Sequence, residues 1–449
     1  MRPHLLRLLK PRHILMIALG SAIGTGLFFG AGESIKLAGP SILLSYTIGG
    51  IIMYIVIRAL GEMTVYEPNV GSFSFYAYKY INQYAGFMAG WNYWFNYIIV
   101  SMLELTATTM FLDYWIPISK YHWLIALGIL TFFGLINLMN VKFFGEFEFW
   151  FTGIKVTTII ILIIIGLYLI FTNQSTDTGD IHSNIKNLWQ YGGFFTGGFH
   201  GFILSFVVVI FAFGGTELVG IAAGESDNPK KTIPIAINGI IIRISVFYVL
   251  VLAIIMCLYP WDKIDNSISP FVDVFNKVGI PKAAALMNLV AIAAALSSFN
   301  SGIYGTARML FNLARQGNAP KYFIKLTSGG APYLATIFSI SCIFITVILN
   351  YFYPKQIFYI LLALATTAAM INWITILIAQ ICFRWQVDRQ NIFYKMPLYP
   401  FSSIVAIGFF IFVLITMLRM PTMSLAVYIM PLWILILSIL YIVKIKAKN

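Results

Sequence analysis

Apolar residues run almost unbroken for twenty or more positions at a time along the whole 449-residue chain, with short polar connectors between the runs. A hydrocarbon layer about 30 Å thick is crossed by about 20 apolar helical residues at 1.5 Å rise each. By that ruler the sequence predicts about twelve spans, at 13–32, 40–64, 85–112, 122–140, 147–171, 199–223, 236–259, 283–312, 333–350, 356–383, 400–418 and 424–443. Inside lipid only helices and closed barrels satisfy every backbone group. A barrel would show short alternating segments, whereas these runs are long and continuous. The expected fold is therefore an all-α integral membrane protein of about twelve transmembrane helices. The first run is too long and too glycine-rich for a cleaved signal and is read as a retained span.

Two runs interrupt themselves. The first contains Ile17-Ala18-Leu19-Gly20-Ser21-Ala22-Ile23-Gly24-Thr25-Gly26-Leu27-Phe28-Phe29-Gly30, four glycines and two hydroxyls in mid-span. The sixth contains Phe211-Ala212-Phe213-Gly214-Gly215-Thr216-Glu217. Each glycine costs a helix about 0.8–1 kcal/mol relative to alanine. Each interrupted run also opens a block of five spans, 13–171 and 199–383, leaving 400–443 as two additional helices. An odd number of crossings gives the two blocks opposite orientation. Glycine-interrupted segments at matching positions in two halves point to a binding site between them. Unwinding at 21–26 would expose amides that attract anions and carbonyls that attract cations. Gly214 and Gly215 would add a second set of carbonyls, so that a zwitterion fits the pair. The alternative for the first run alone is helix packing through small residues, since Gly20 and Gly24, and Gly26 and Gly30, are four residues apart. The matched second break favours binding.

Charge sharpens this picture. Only 10% of residues are charged, against about a quarter in soluble domains. The formal net charge of +13 would suit nucleic acid, but its distribution follows the membrane. With the N-terminus inside, eighteen Lys and Arg fall in cytoplasmic segments and eight on the other side, as the positive-inside rule requires. Both termini are expected in the cytoplasm, and no nucleic-acid partner is.

Ionisable groups within spans cost several kcal/mol and mark functional positions by default. Glu217 follows the second break directly and reads either as a proton carrier or cation ligand, or as a neutral acid joining two helices. Glu104, in mid-span, faces either a substrate or a neighbouring helix. Lys155 lies deep in the fifth span, seven residues after Glu148 and so near the same helix face; a buried ammonium there could do a sodium ion's electrostatic work, and the alternative of a snorkelling lysine suits its depth poorly. Arg58, Glu62 and Arg243 lie near cytoplasmic ends and read as interface or gate residues. Asn300 with Ser297, Ser298 and Ser301 either lines the path or only bonds between helices. Cys257, Cys342 and Cys382 show no metal spacing and read as apolar filler, and no metal or cofactor is expected. GxxxxGK[ST], HExxH and GxSxG are all absent, which weighs against an ATP-driven pump or a membrane hydrolase.

The motifs together resemble a known family. Gly20-Ser21-Ala22-Ile23-Gly24-Thr25-Gly26-Leu27-Phe28 is similar to the first-helix motif of amino acid permeases of the amino acid–polyamine–organocation superfamily. Gly61-Glu62-Met63 with Gly71-Ser72-Phe73, Phe144-Gly145-Glu146-Phe147-Glu148-Phe149-Trp150-Phe151, Phe213-Gly214-Gly215-Thr216-Glu217, Ala223-Gly224-Glu225 with Asn228-Pro229, and Ala307-Arg308-Met309-Leu310 leading to Ala314-Arg315-Gln316-Gly317 resemble its bacterial amino acid transporter branch. The resemblance implies a LeuT-like fold of five-plus-five inverted repeats followed by two helices, with the first and sixth helices unwound at the midplane. It implies that Thr25 and Gly26 bind a substrate carboxylate with Gly24 permitting the turn, and that the amine meets the carbonyls of Ala22, Phe211 and Gly214. Glu217 matches the glutamate linked to coupling, Lys155 the lysine that replaces sodium in proton-coupled members, and Glu104 an acidic position found in part of the branch. The expected activity is amino acid–proton symport into a bacterium across its cytoplasmic membrane, by alternating access and without ATP. An amino acid or amine exchanger is the alternative, with a membrane-embedded receptor or channel further off. Neutral, aromatic or proline-like substrates fit the motifs better than cationic ones.

Overall fold

A computed structural model of the chain describes residues 24–69, 71–116, 119–139, 141–173, 182–218, 228–265, 268–352 and 357–446, together with the isolated residues 16 and 220. The described residues are overwhelmingly helical and contain no β-strand. The principal helices are α1 (Thr25–Phe28), α2 (Gly30–Ala38), α3 (Ile42–Tyr66), α4 (Gln83–Leu112), α5 (His122–Met139), α6 (Val141–Phe171), α7 (Gly198–Ala212), α8 (Pro229–Ile244), α9 (Val251–Leu258), α10 (Pro270–Lys277), α11 (Pro281–Arg315), α12 (Tyr333–Ile343), α13 (Ile345–Phe352), α14 (Ile357–Gln386), α15 (Phe401–Met417) and α16 (Pro421–Lys446).

Their ends follow local chemistry. The Asn82 side chain accepts from the Ala85 amide at 2.8 Å and caps α4, satisfying one of the donors a helix start leaves open. Proline opens α8, α10 and α11, where its missing N–H costs nothing. Among the described residues, nine helical segments are long and apolar enough to cross a membrane, and α7 and α15 are shorter apolar helices. Most expected runs coincide with these helices to within a few residues. Two differ: the first run, 13–32, lies largely outside the described residues and shows helix at 25–28 and 30–38, and in the sixth the helix stops at Ala212 and turns occupy 213–217.

Helices α4, α11 and α14 are buried on most sides, whereas α5, α6 and α16 turn broad apolar faces outward. Trp150, Ile164, Phe171 and Leu432 are among the exposed large side chains. A soluble surface rarely carries so continuous an apolar face; lipid accepts it. The pairing of α4 with α11 is the most extensive in the molecule. It is close because Gly302 of α11 sits against the Ser101 side chain of α4, the small-residue contact by which membrane helices gain packing. This is a multi-pass membrane protein.

Candidate functional site

The two interruptions meet. At Gly24 the backbone is extended (φ −123°, ψ −158°) and α1 begins immediately after it; helical geometry lapses again at Phe29 before α2. Being the first residues of a helix, Thr25 and Gly26 carry amides with no acceptor inside it. A Cβ placed on Gly26 would lie 2.6 Å from the Ala212 Cα, so α1 and the end of α7 touch backbone to backbone. Beyond Ala212 the chain turns: the amide of Gly214 donates to the Phe211 carbonyl at 2.9 Å, and Gly215 adopts φ +94°, a conformation glycine takes without the penalty of a Cβ. Ala22 and the residues around it in the first run lie outside the described residues.

Between the two breaks is a cavity of about 40 Å³ lined by Gly24, Gly26, Phe211, Ala212, Gly214 and Gly215 from the breaks. Asn96, Tyr97, Val100 and Glu104 of α4, Ser298 and Ser301 of α11, Ala365 and Ala369 of α14, and Leu218 beyond the second break complete its wall. One bound water needs at least about 10–15 Å³ of such space, so the volume is a few waters' worth and would have to widen around an organic ligand. Glu104 projects over the first break: a Cβ on Gly24 would lie 2.9 Å from its Oε1 and 2.7 Å from Ser298 Oγ. The Thr25 amide and hydroxyl face the same carboxyl. Yet Thr25 Oγ1 and Glu104 Oε2 are buried without a hydrogen-bond partner among the described residues. Buried polar atoms are nearly always paired, and this donor and acceptor face each other beside the cavity, where they can close on one another or on a polar ligand.

Glu217 stands behind this wall rather than in it. Tyr97 Oη donates to its Oε1 at 3.2 Å, and Trp373 Nε1 of α14 donates to its Oε2 at 3.3 Å. Tyr97 thus touches both the cavity and the acid. Lys155 is fully buried in α6 and donates to Ser297 Oγ of α11 at 3.0 Å. Ser297 Oγ in turn lies 2.8 and 2.9 Å from the two oxygens of Glu148, which Ser301 and Thr152 also approach at 3.3 Å. The expected shared face of Glu148 and Lys155 is therefore real, and a serine from a neighbouring helix joins them. Ser298 lines the cavity, while Asn300 accepts from Asn137 at 2.8 Å and so bonds between helices.

A family model described as "Amino acid permease" matches residues 13–449. The chain belongs to the amino acid permease family. It is 44% identical to an aromatic amino acid transport protein, AroP, of Salmonella typhimurium strain LT2, over 98% of this chain and 96% of that protein. The AroP of Escherichia coli K12 is 43% identical over the same shares. An uncharacterized amino acid permease of Bacillus subtilis, YtnA, is 44% identical over 96% of this chain and 94% of its own length. These relatives are transport proteins by name, and the permease carries the amino acid–polyamine–organocation superfamily motifs from end to end.

Sequence reasoning reached both breaks and the buried charges. It missed Tyr97, Trp373, Asn96 and the two alanines of α14. Asn92 and Asn96, polar and four residues apart in an apolar run, were the available signal: their amides donate to the Ala368 and Ala365 carbonyls at 2.9 and 2.8 Å and fasten α4 to α14 at the cavity.

Proposed function

We propose that the chain imports amino acids, large apolar and aromatic ones first, across a bacterial cytoplasmic membrane by proton symport. In this reading the substrate carboxylate binds the amides of Thr25 and Gly26 with the Thr25 hydroxyl, and its ammonium binds the carbonyls of Ala22, Phe211 and Gly214 together with Glu104. Helix N-terminal amides favour an anion and helix C-terminal carbonyls a cation. The observation that carries the proposal is the cavity where both breaks meet, with the Thr25 hydroxyl and the Glu104 carboxyl beside it and Val100, Leu218, Ala365 and Ala369 forming an apolar section of its wall. Val100, Leu218, Ala365 and Ala369 offer an uncharged side-chain compartment, and relatives are named for aromatic amino acids.

The two blocks 13–171 and 199–383 would be inverted halves of a LeuT-like twelve-helix arrangement, unwound at the midplane and alternating access around this site, with both termini cytoplasmic. Lys155 would hold a fixed positive charge where a sodium-coupled carrier binds its ion. Glu217, reached through Tyr97, would gain and lose the coupled proton. The test is uptake of labelled phenylalanine into cells lacking their own aromatic transporters, with unlabelled competitors. Competition by tryptophan and tyrosine but not by lysine or glutamate supports the assignment; competition by lysine alone would refute it.

A further inference from the structure

The connector between α14 and α15 carries features that the central cavity does not explain. In it Ile392, Tyr394 and Met396 are buried while Phe393, Lys395 and Pro397 are exposed, the two-residue alternation of extended backbone. It is firmly held. Arg58 of α3 donates through Nε and Nη2 to the Lys395 carbonyl at 3.2 and 2.8 Å, and its guanidinium lies 3.4 Å from the centre of the Tyr394 ring. Tyr394 Oη donates to Asn238 Oδ1 at 2.9 Å, and Ser402 Oγ to the Pro397 carbonyl at 2.7 Å. Lys395 and Phe393 are therefore presented outward from a fixed backbone.

Beside them is a cavity of about 320 Å³ lined by Arg384, Arg389, Lys395, Met396, Leu398 and Tyr399. Arg384 is already neutralised, with its Nε 2.6 Å from Glu62 Oε1. No carboxylate among the described residues pairs with Arg389 or Lys395; the neighbouring Asp388 caps a turn by accepting from the Gln390 amide at 3.1 Å. Two uncompensated cations thus share one cavity. Around it Trp385, Phe393, Leu398 and Phe401 are 77%, 88%, 78% and 68% exposed. Large aromatic side chains with basic ones beside them are what a membrane–water interface selects, and basic pockets at that level suit anionic headgroups.

We propose that this cavity binds the phosphate of an anionic phospholipid, with Arg389 and Lys395 as its ligands and the exposed apolar residues seated among the acyl chains. Arginine supplies the paired donors that match a phosphate's oxygens, and lysine a second point charge. A free phosphate would use the two cations and leave the apolar rim without a role, so the lipid is the favoured occupant. Because Arg384 joins the same cavity to Glu62, a bound headgroup would also brace the end of α14 against α3. The inference needs only that the chain sits in a membrane; it does not depend on what is transported.

The test uses the full chain in a neutral detergent, titrated with phosphatidylglycerol, phosphatidylcholine or inorganic phosphate, with bound lipid counted by native mass spectrometry and the unfolding temperature followed in parallel. Phosphatidylglycerol should bind and raise the unfolding temperature, and phosphatidylcholine should do neither. The R389Q/K395Q double variant should bind phosphatidylglycerol about thirtyfold more weakly, the effect of removing two cations near an anionic lipid. Its unfolding temperature without lipid should match the parent. Equal binding by parent and variant would overturn the proposal, as would an equal stabilisation by inorganic phosphate alone. If the double variant does not fold, the K395Q single variant should show an intermediate loss of bound phosphatidylglycerol, and an unchanged lipid count would overturn the proposal equally.

Discussion

At the scale of single residues, the site depends on atoms that are missing. Gly26 allows α1 to lie against the backbone of Ala212, with only 2.6 Å between a would-be Cβ and the Ala212 Cα. Overpacking a core costs about 1–3 kcal/mol even where side chains can yield, and a backbone yields less. Gly26→Leu should therefore abolish binding of every substrate, measured as loss of labelled amino acid bound to purified protein. Gly128→Leu is the matched control, because nothing lies within 4 Å of a Cβ there, and it should bind normally. A Gly26→Leu protein that is folded and binds at parental affinity would remove the carboxylate from this break. Ala369 tests the other end of the cavity. Ala369→Trp fills the apolar compartment and should suppress uptake of tryptophan and phenylalanine at least about tenfold, a difference of about 1.4 kcal/mol, while sparing alanine. An equal loss for all three amino acids would place the side-chain compartment elsewhere. The glycines were legible because they break a long apolar run. Ala365 and Ala369 were not, because alanine in a membrane helix carries no signal until the rotation of α14 is known.

Among elements, two polar clusters tie helices that apolar packing alone would leave free to slide. Glu148 and Lys155 of α6 share Ser297 of α11. Removing one partner of a buried ion pair typically costs about 3–5 kcal/mol, because the other charge is left unpaired. Lys155→Met should accordingly lower the unfolding temperature markedly, and the Glu148→Gln/Lys155→Met double variant should recover part of that loss. Strictly additive effects in the double variant would mean that the two groups do not interact. The second cluster joins α4, the turn after α7, and α14 through Tyr97, Glu217 and Trp373. A glutamine at 217 can accept from the tryptophan and meet the tyrosine hydroxyl, so Glu217→Gln should fold and still exchange substrate across the membrane. It should lose accumulation against a gradient. Accumulation at the parental level would take Glu217 out of the proton path. The seven-residue spacing of Glu148 and Lys155 was readable from sequence. Their serine, like Tyr97 and Trp373, comes from other helices, and a single helix's periodicity says nothing about which neighbour faces it.

For the whole molecule, the long apolar runs and the excess of Lys and Arg on one side predict both how the chain lies in the membrane and which way it faces. A green fluorescent protein fused after Asn449 should fluoresce in intact bacteria, since that fold matures inside the cell; a dark fusion beside an active periplasmic reporter at the same position would invert the topology. Lys155 is buried with Glu148 and Glu104 as its charged neighbours, so a lysine amino group occupies the place the proposal gives to a coupling ion. The measurement that tests this most directly is phenylalanine uptake by proteoliposomes under an inward proton gradient, an inward sodium gradient, or neither. Accumulation with the proton gradient alone is the predicted result. Accumulation that requires sodium, or uptake only into liposomes preloaded with amino acid, would contradict it.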